Sequence, residues 1–163
     1  MIMSIFSTVM AMKLTLDDLD RKILAILRQD GRRSFADVAR DLTVSIATVK
    51  RRVDRLQADG VVQGYAAVLD TAKLGLGFEA IVEVYCAERT TPRDVLATIS
   101  GLEEVISAVT VSGEPDAVLR VQVSDVPHLE RVIEDLRRRP SIVRTRTMLV
   151  LSVLVDRPVA LRT

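Results

Sequence analysis

The chain has 163 residues, room for one large domain or two small ones, and its 48% apolar and 28% charged residues suit a globular fold. A net charge of +1, no Trp and only 3% aromatics argue against a general polyanion binder and against readers that stack single-stranded bases or RNA. One Cys (Cys86) and one His (His128) exclude an intrachain disulfide, a multi-cysteine metal site and a paired-histidine one, so no metal or cofactor is expected and a reducing cytoplasm is the natural setting.

Residues 1–12 (MIMSIFSTVMAM) are apolar without a basic start and too short to span a bilayer. They read as an N-terminal extension, either loose or packed on a partner subunit, and no membrane association is expected. Thr15, with Asp18 three residues on, predicts a helix N-terminus. Leu16, Leu19, Ile23 and Leu27 then recur at helical spacing until Asp30-Gly31 stops the helix. Ser34 and Asp37 open a second short helix with Phe35, Val38, Ala39 and Leu42 inward. Thr43-Val44 is a tight connection. Ser45 caps a third helix, SIATVKRRVDRL, which Gly60 closes.

On this third helix Ile46, Val49, Val53 and Leu56 share one face, while Thr48, Arg51, Arg52 and Arg55 share the roughly opposite one. Three short helices, the last two joined by a turn, make a helix-turn-helix domain of the winged type over residues 13–64. Residues 13–63 carry 11 basic and 8 acidic side chains, a net of +3, and residues 64–163 carry 12 and 14, a net of −2. The densest basic cluster is Lys50, Arg51, Arg52 and Arg55. A charge run is often only a solvated face. Here it falls on the outward side of the motif's second helix, which points to double-stranded DNA. Arg51, Arg52 and Arg55, with Lys50, are the candidates for phosphate or guanine contacts. Ser45 and Thr48 are candidates for phosphate or base edges.

Residues 61–70 read as extended, and Gly75 and Gly77 mark a hinge-like stretch, so 65–77 is expected to be a linker. Residues 78–156 alternate strands and helices. Phe78, Ala80, Val82, Val84 and Cys86 share one strand face. Thr91-Pro92 starts a helix carrying Val95, Leu96 and Ile99. Val105 begins a strand reaching Val111, Ser112-Gly113-Glu114-Pro115 turns the chain, and Ala117 to Val123 returns. Ser124 or Asp125 caps a helix with Leu129, Val132, Ile133 and Leu136 inward. A long final strand is expected over 143–155, ahead of a tail at 157–163. The order βαββαβ predicts an α+β, ferredoxin-like sandwich: a four-stranded antiparallel sheet with both helices on one face. The final strand is apolar on both sides, so a second copy of the same sheet is the simple cover for the other face.

A helix-turn-helix followed by such a domain resembles the Lrp/AsnC family, the leucine-responsive or feast/famine transcription regulators. The resemblance runs from about Met12 to Val155. It is carried by LDDLDRKILAILRQDGR (residues 16–32), LTVSIATVKRRVDRLQADGVVQGY (residues 42–65) and Gly113-Glu114-Pro115-Asp116, where that family has a G-x-x-D turn. It implies a sequence-specific DNA-binding regulator with a C-terminal domain of the regulation-of-amino-acid-metabolism type. It further implies homodimers formed through the sheets, tetramers or octamers of them, and a free amino acid bound between dimers that alters assembly and DNA binding. Carried over, the effector candidates are Gly113, Glu114 and Asp116, with hydroxyls from Thr145 and Thr147. Gly113 lets backbone approach a ligand, exposed N–H groups can hold a carboxylate, and Asp116 can pair with an α-ammonium. Pro115 removes a donor and stiffens this turn, and the same four residues also suit a plain β-turn.

Cys86 reads as a small core residue and His128 as a solvated one. The run Arg137-Arg138-Arg139 complements a helix C-terminus or offers a second DNA contact. Two rival readings use the same architecture. One is a DNA-wrapping, nucleoid-type protein with little effector dependence. The other is a sirohaem decarboxylase, an enzyme that would need more histidines than this chain has; no enzymatic activity is expected.

Overall fold

Local capping signals fix the ends of most elements in the computed structural model, which describes residues 15–155. The expected extension (1–12) and tail (157–163) lie outside the described residues. The chain divides into two compact units between Ala67 and Val68.

The first unit holds α1 (Asp18–Gln29), α2 (Phe35–Leu42) and α3 (Ile46–Ala58). The N-cap of α1 is Asp17, two residues later than the expected Thr15. Asp17 accepts from the Asp20 N–H, and the Asp20 side chain accepts in return from the Asp17 N–H, a complete capping box. The sequence TLDDLD offers two overlapping boxes, and the all-acidic one is formed. Ser34 caps α2 and Ser45 caps α3 as expected. Thr43 closes α2 in the left-handed region at φ 56°, which turns the chain sharply into α3. Ile23, Leu27, Val38, Ala39, Val49 and Val53 form the core of this unit, and Leu56 is buried as well. Gly31 is a place of close approach: a Cβ there would lie 2.9 Å from Cδ1 of Tyr65.

The second unit holds β1 (Phe78–Cys86), α4 (Pro92–Ile99), β2 (Val105–Thr110), β3 (Ala117–Val123), α5 (Val126–Arg137) and β4 (Ile142–Leu149). The strands lie in the order β2-β3-β1-β4, all neighbours antiparallel, which is the expected ferredoxin-like sheet. Thr91 caps α4 with Pro92 at its start, and Asp125 caps α5. Ala80, Val82, Val84, Leu119, Val121 and Val123 meet Val95, Ile99, Leu129, Val132 and Leu136 in one core. Both helices therefore cover the same face. The other face carries Glu79, Ile81, Glu83 and Tyr85 from β1, register partners of Gln122, Arg120 and Val118 on β3 and of Met148, Arg146 and Arg144 on β4.

Some expectations are corrected. The final strand ends at Leu149 rather than continuing to 155, because β1 begins at Phe78 and the last ladder bond, Val150 N–H to the Glu79 carbonyl, uses up its edge. His128 is half-buried: Nε2 meets Glu104 Oε1 at 3.0 Å and Nδ1 meets Ser124 Oγ at 3.2 Å, which ties the start of α5 to the start of β2.

Candidate nucleic-acid interface and effector turn

Helix α3 is held at its start by Ser45, whose Oγ accepts from the Thr48 N–H at 3.1 Å and shares a 2.8 Å hydrogen bond with Thr48 Oγ1. Both hydroxyls predicted to contact DNA are thus first engaged with each other, Ser45 exposed and Thr48 half-buried. Val49, Val53 and Leu56 anchor the back of the helix at 0–1% exposure. Ile46 departs from the expected inward face, being 55% exposed. A helical wheel gives angle but not depth: Ile46 is two turns before Val53, in an end where Ser45 and Ala47 are exposed too.

The basic cluster divides. Arg51 and Lys50 are exposed, Lys50 with its Nζ 2.7 Å from Asp54 Oδ2, an i,i+4 pair. Arg52 departs from the outward face assigned to it. Its side chain is 19% exposed, and Nη1 donates to Asp17 Oδ2 at 2.6 Å and to Asp20 Oδ1 at 2.8 Å. Arg55 is 48% exposed and its Nη2 donates to Asp20 Oδ2. The Asp20 side chain is wholly buried. The Asp20 N–H at its cap, and then Arg52, hold the Asp17 carboxyl below the usual carboxylate range, and the two carboxylates push the Arg52 guanidinium up. Asp17 and Asp20 were not singled out from the sequence. A signal was available: Arg52 lies three residues after Val49 and four before Leu56, at the margin of the apolar face rather than opposite it.

The Gly113–Asp116 stretch is the turn between β2 and β3. Glu114 Oε1 accepts from Arg144 Nη2 at 3.1 Å, and the Arg144 guanidinium lies 3.7 Å from the centroid of the Tyr85 ring. The Tyr85 hydroxyl donates to Glu83 at 3.0 Å. Burial, with Glu83 beside it, pushes the Tyr85 hydroxyl up. Asp116 is exposed but tied to the strand end: Oδ2 accepts from the Cys86 N–H at 2.7 Å, and its own N–H donates to the Val84 carbonyl at 2.9 Å. Burial and then Asp116 push the Cys86 thiol up.

Thr145 and Thr147 pair with Val84 and Val82, so they face the helix layer and not the open face. Thr145 Oγ1 accepts from Arg137 Nε at 2.8 Å, and Thr147 Oγ1 is buried without a hydrogen-bond partner among the described residues. The structure brings Glu114 together with Tyr85 and Arg144, two residues the sequence reading missed. Only the β1–β4 register, Tyr85 opposite Arg144, places them together. Among the described residues no group of His, Cys, Asp and Glu is arranged to hold a metal, and no helix is long and apolar enough to cross a membrane.

Comparison with known proteins supplies the family. The AsnC-type helix-turn-helix domain matches residues 16–57, and the Lrp/AsnC ligand binding domain matches residues 79–160. The HTH-type transcriptional regulator Rv2324 of Mycobacterium tuberculosis is 40% identical over 142 residues, 87% of this chain and 96% of that protein. The feast or famine regulatory protein Rv3291c of M. tuberculosis, solved with L-methionine, superposes with a TM-score of 0.81 at 33% identity, covering 87% of this chain and 96% of the other. The transcriptional regulator NMB0573 of Neisseria meningitidis, solved as an L-Met complex, gives a TM-score of 0.83 at 27% identity, with 88% and 94% covered. The helical head and the antiparallel sheet domain both fall within these matches, and the chain belongs to the Lrp/AsnC family of transcriptional regulators.

Proposed function

We propose that this chain is a sequence-specific, duplex-DNA-binding transcriptional regulator of the cytoplasm whose assembly and DNA binding respond to a free amino acid. The observation that carries the reading is the division of α3: an apolar back sealed in the three-helix core and a front where Lys50 and Arg51 stand exposed. Such a helix enters a major groove with its back anchored. Ser45, Thr48 and the half-exposed Arg55 flank that front.

The effector reading rests on the turn. Exposed Gly113 and Glu114, with Arg144 stacked on Tyr85, put an acidic group, a guanidinium and an aromatic face at one strand end. An amino acid carries complementary charges for the first two. Asp116, committed to the Cys86 N–H, serves the shape of the turn. Thr145 and Thr147, on the helix side, act on the pocket only through β4. L-methionine, present in the structures of two relatives, is the first candidate ligand.

The open face of the sheet is the dimer surface in this reading. Met148 and the β2 residue Val109 are exposed apolar side chains on it, interspersed with Arg120–Glu79 and Arg146–Glu83 pairs. A two-fold axis repeats each such feature on both partners, and further pairing of dimers gives tetramers or octamers.

Genome-wide mapping of bound sites, with and without added amino acids, tests this function. Discrete sites whose occupancy changes with one amino acid support it. Long periodic protection unaffected by any amino acid points instead to a DNA-wrapping architectural protein.

A further inference from the structure

Given the DNA-binding reading above, we infer that Arg52 is a positioning residue: gripped by Asp17 and the buried Asp20, it seats α3 on the N-terminus of α1 and takes no part in phosphate contact.

Asp20 is the centre of the clamp. Its side chain has no exposure to water, so its negative charge depends on the partners around it. Those partners are the Asp17 N–H, Arg52 Nη1 and Arg55 Nη2. A phosphate that drew Arg52 away would leave a buried carboxylate short of a counter-ion. Arg52 is also gripped a second time, by Asp17. Asp17 caps α1, where a negative charge also favours the helix dipole. The pair thus links the first turn of α1 to the middle of α3, 35 residues away in sequence. Arg52 is largely covered and its Nε is buried, so little of the side chain is left to reach outward. Arg51, one position earlier, is turned about 100° around the helix and is exposed.

This division has a consequence for specificity. A helix that reads base edges needs its position set to within about 0.5 Å and its angle to within about 10–20° by surrounding contacts. Loosening the Asp17–Arg52–Asp20 clamp lets α3 rock in the groove. Affinity for a preferred sequence then falls, while attraction to phosphates in general stays.

The test uses the full chain and two duplexes of equal length, one selected by the wild-type protein from a random-sequence pool and one of random sequence. Affinities are measured over a range of salt for wild type, Arg51→Gln, Arg52→Gln and Asp17→Asn. Arg52→Gln is expected to keep the wild-type salt slope on the random duplex and to lose about tenfold in preference for the selected one, the size of one disturbed base contact. Arg51→Gln should lower the slope by about 0.9. A slope lowered equally by Arg52→Gln makes Arg52 a phosphate ligand and overturns the assignment.

Asp17→Asn keeps a capping side chain and gives a second reading if Arg52→Gln fails to fold. A clamp predicts that it too lowers the preference for the selected duplex. A phosphate ligand freed from Asp17 predicts a preference unchanged or increased, which also overturns the assignment. If wild type binds neither duplex in a salt-dependent way, the DNA-binding reading itself fails, and the assignment with it.

Discussion

Asp20 Oδ1 accepts from Arg52 Nη1 at 2.8 Å, a bond between a fully buried carboxylate near the start of α1 and a guanidinium on α3. Removing one partner of such a pair strands the other. Asp20→Ala should therefore destabilise the helical unit by about 3 kcal/mol, the low end for a buried pair because Arg55 keeps access to water. Chemical denaturation followed by circular dichroism reads this, with the sheet unit as internal reference. A loss under about 1 kcal/mol, the range of exposed pairs, contradicts it.

The two ends of α3 should respond differently to truncation. Leu56 is fully buried, and Leu56→Ala should cost about 2–5 kcal/mol. Ile46 is more than half exposed, and Ile46→Ala should stay within about 0.5 kcal/mol. Equal losses at the two positions would mean that Ile46 is packed as its sequence spacing suggested.

Acid stability follows from the caps. Asp17, Asp37, Asp94 and Asp125 all sit below the ordinary carboxylate range. The main causes are the Asp20 N–H at Asp17, the Ser34 hydroxyl at Asp37, Thr91 at Asp94 and the His128 N–H at Asp125. A depressed folded-state value means that each contributes stability fully present above about pH 4 and lost as pH falls through its folded value. The denaturation midpoint should hold from neutral pH to about 5 and fall steeply below about 4. Asp125→Asn retains a cap and should make the sheet unit's fall shallower. An unchanged acid profile in that variant contradicts the assignment.

The turn makes its own prediction. Arg144→Ala removes the Glu114 ion pair and the stack on Tyr85, both at the surface, and should cost no more than about 1 kcal/mol in stability. It should also remove any shift in sedimentation that L-methionine produces in the wild type. A full response to L-methionine in Arg144→Ala would place the ligand elsewhere.

Much of the fold was legible because its signals are local. Ser34, Ser45 and Thr91-Pro92 announce helix starts within four residues, and the alternation of Ala80, Val82 and Val84 marks a half-covered strand. What escaped depends on distant partners. The apolar run after Leu149 looks like strand, but a strand ends where its neighbour ends, and β1 starts at Phe78. Asp20 looks like a surface acid until α3 folds over it from 32 residues away. The arginines of α3 were all assigned outward because a charge pattern names a face but not the acids waiting at its margin. Tyr85 and Arg144 meet only through strand register.

Selection from a random-sequence DNA pool measures whether α3 reads duplex sequence from a two-fold symmetric protein. Enrichment of a near-palindromic site with half-sites about one helical turn, roughly 34 Å, apart is expected, and Arg51→Ala should bind that site more weakly with a shallower salt dependence. A pool that emerges without a shared motif, or one enriched in single half-sites with no two-fold repeat, would contradict it.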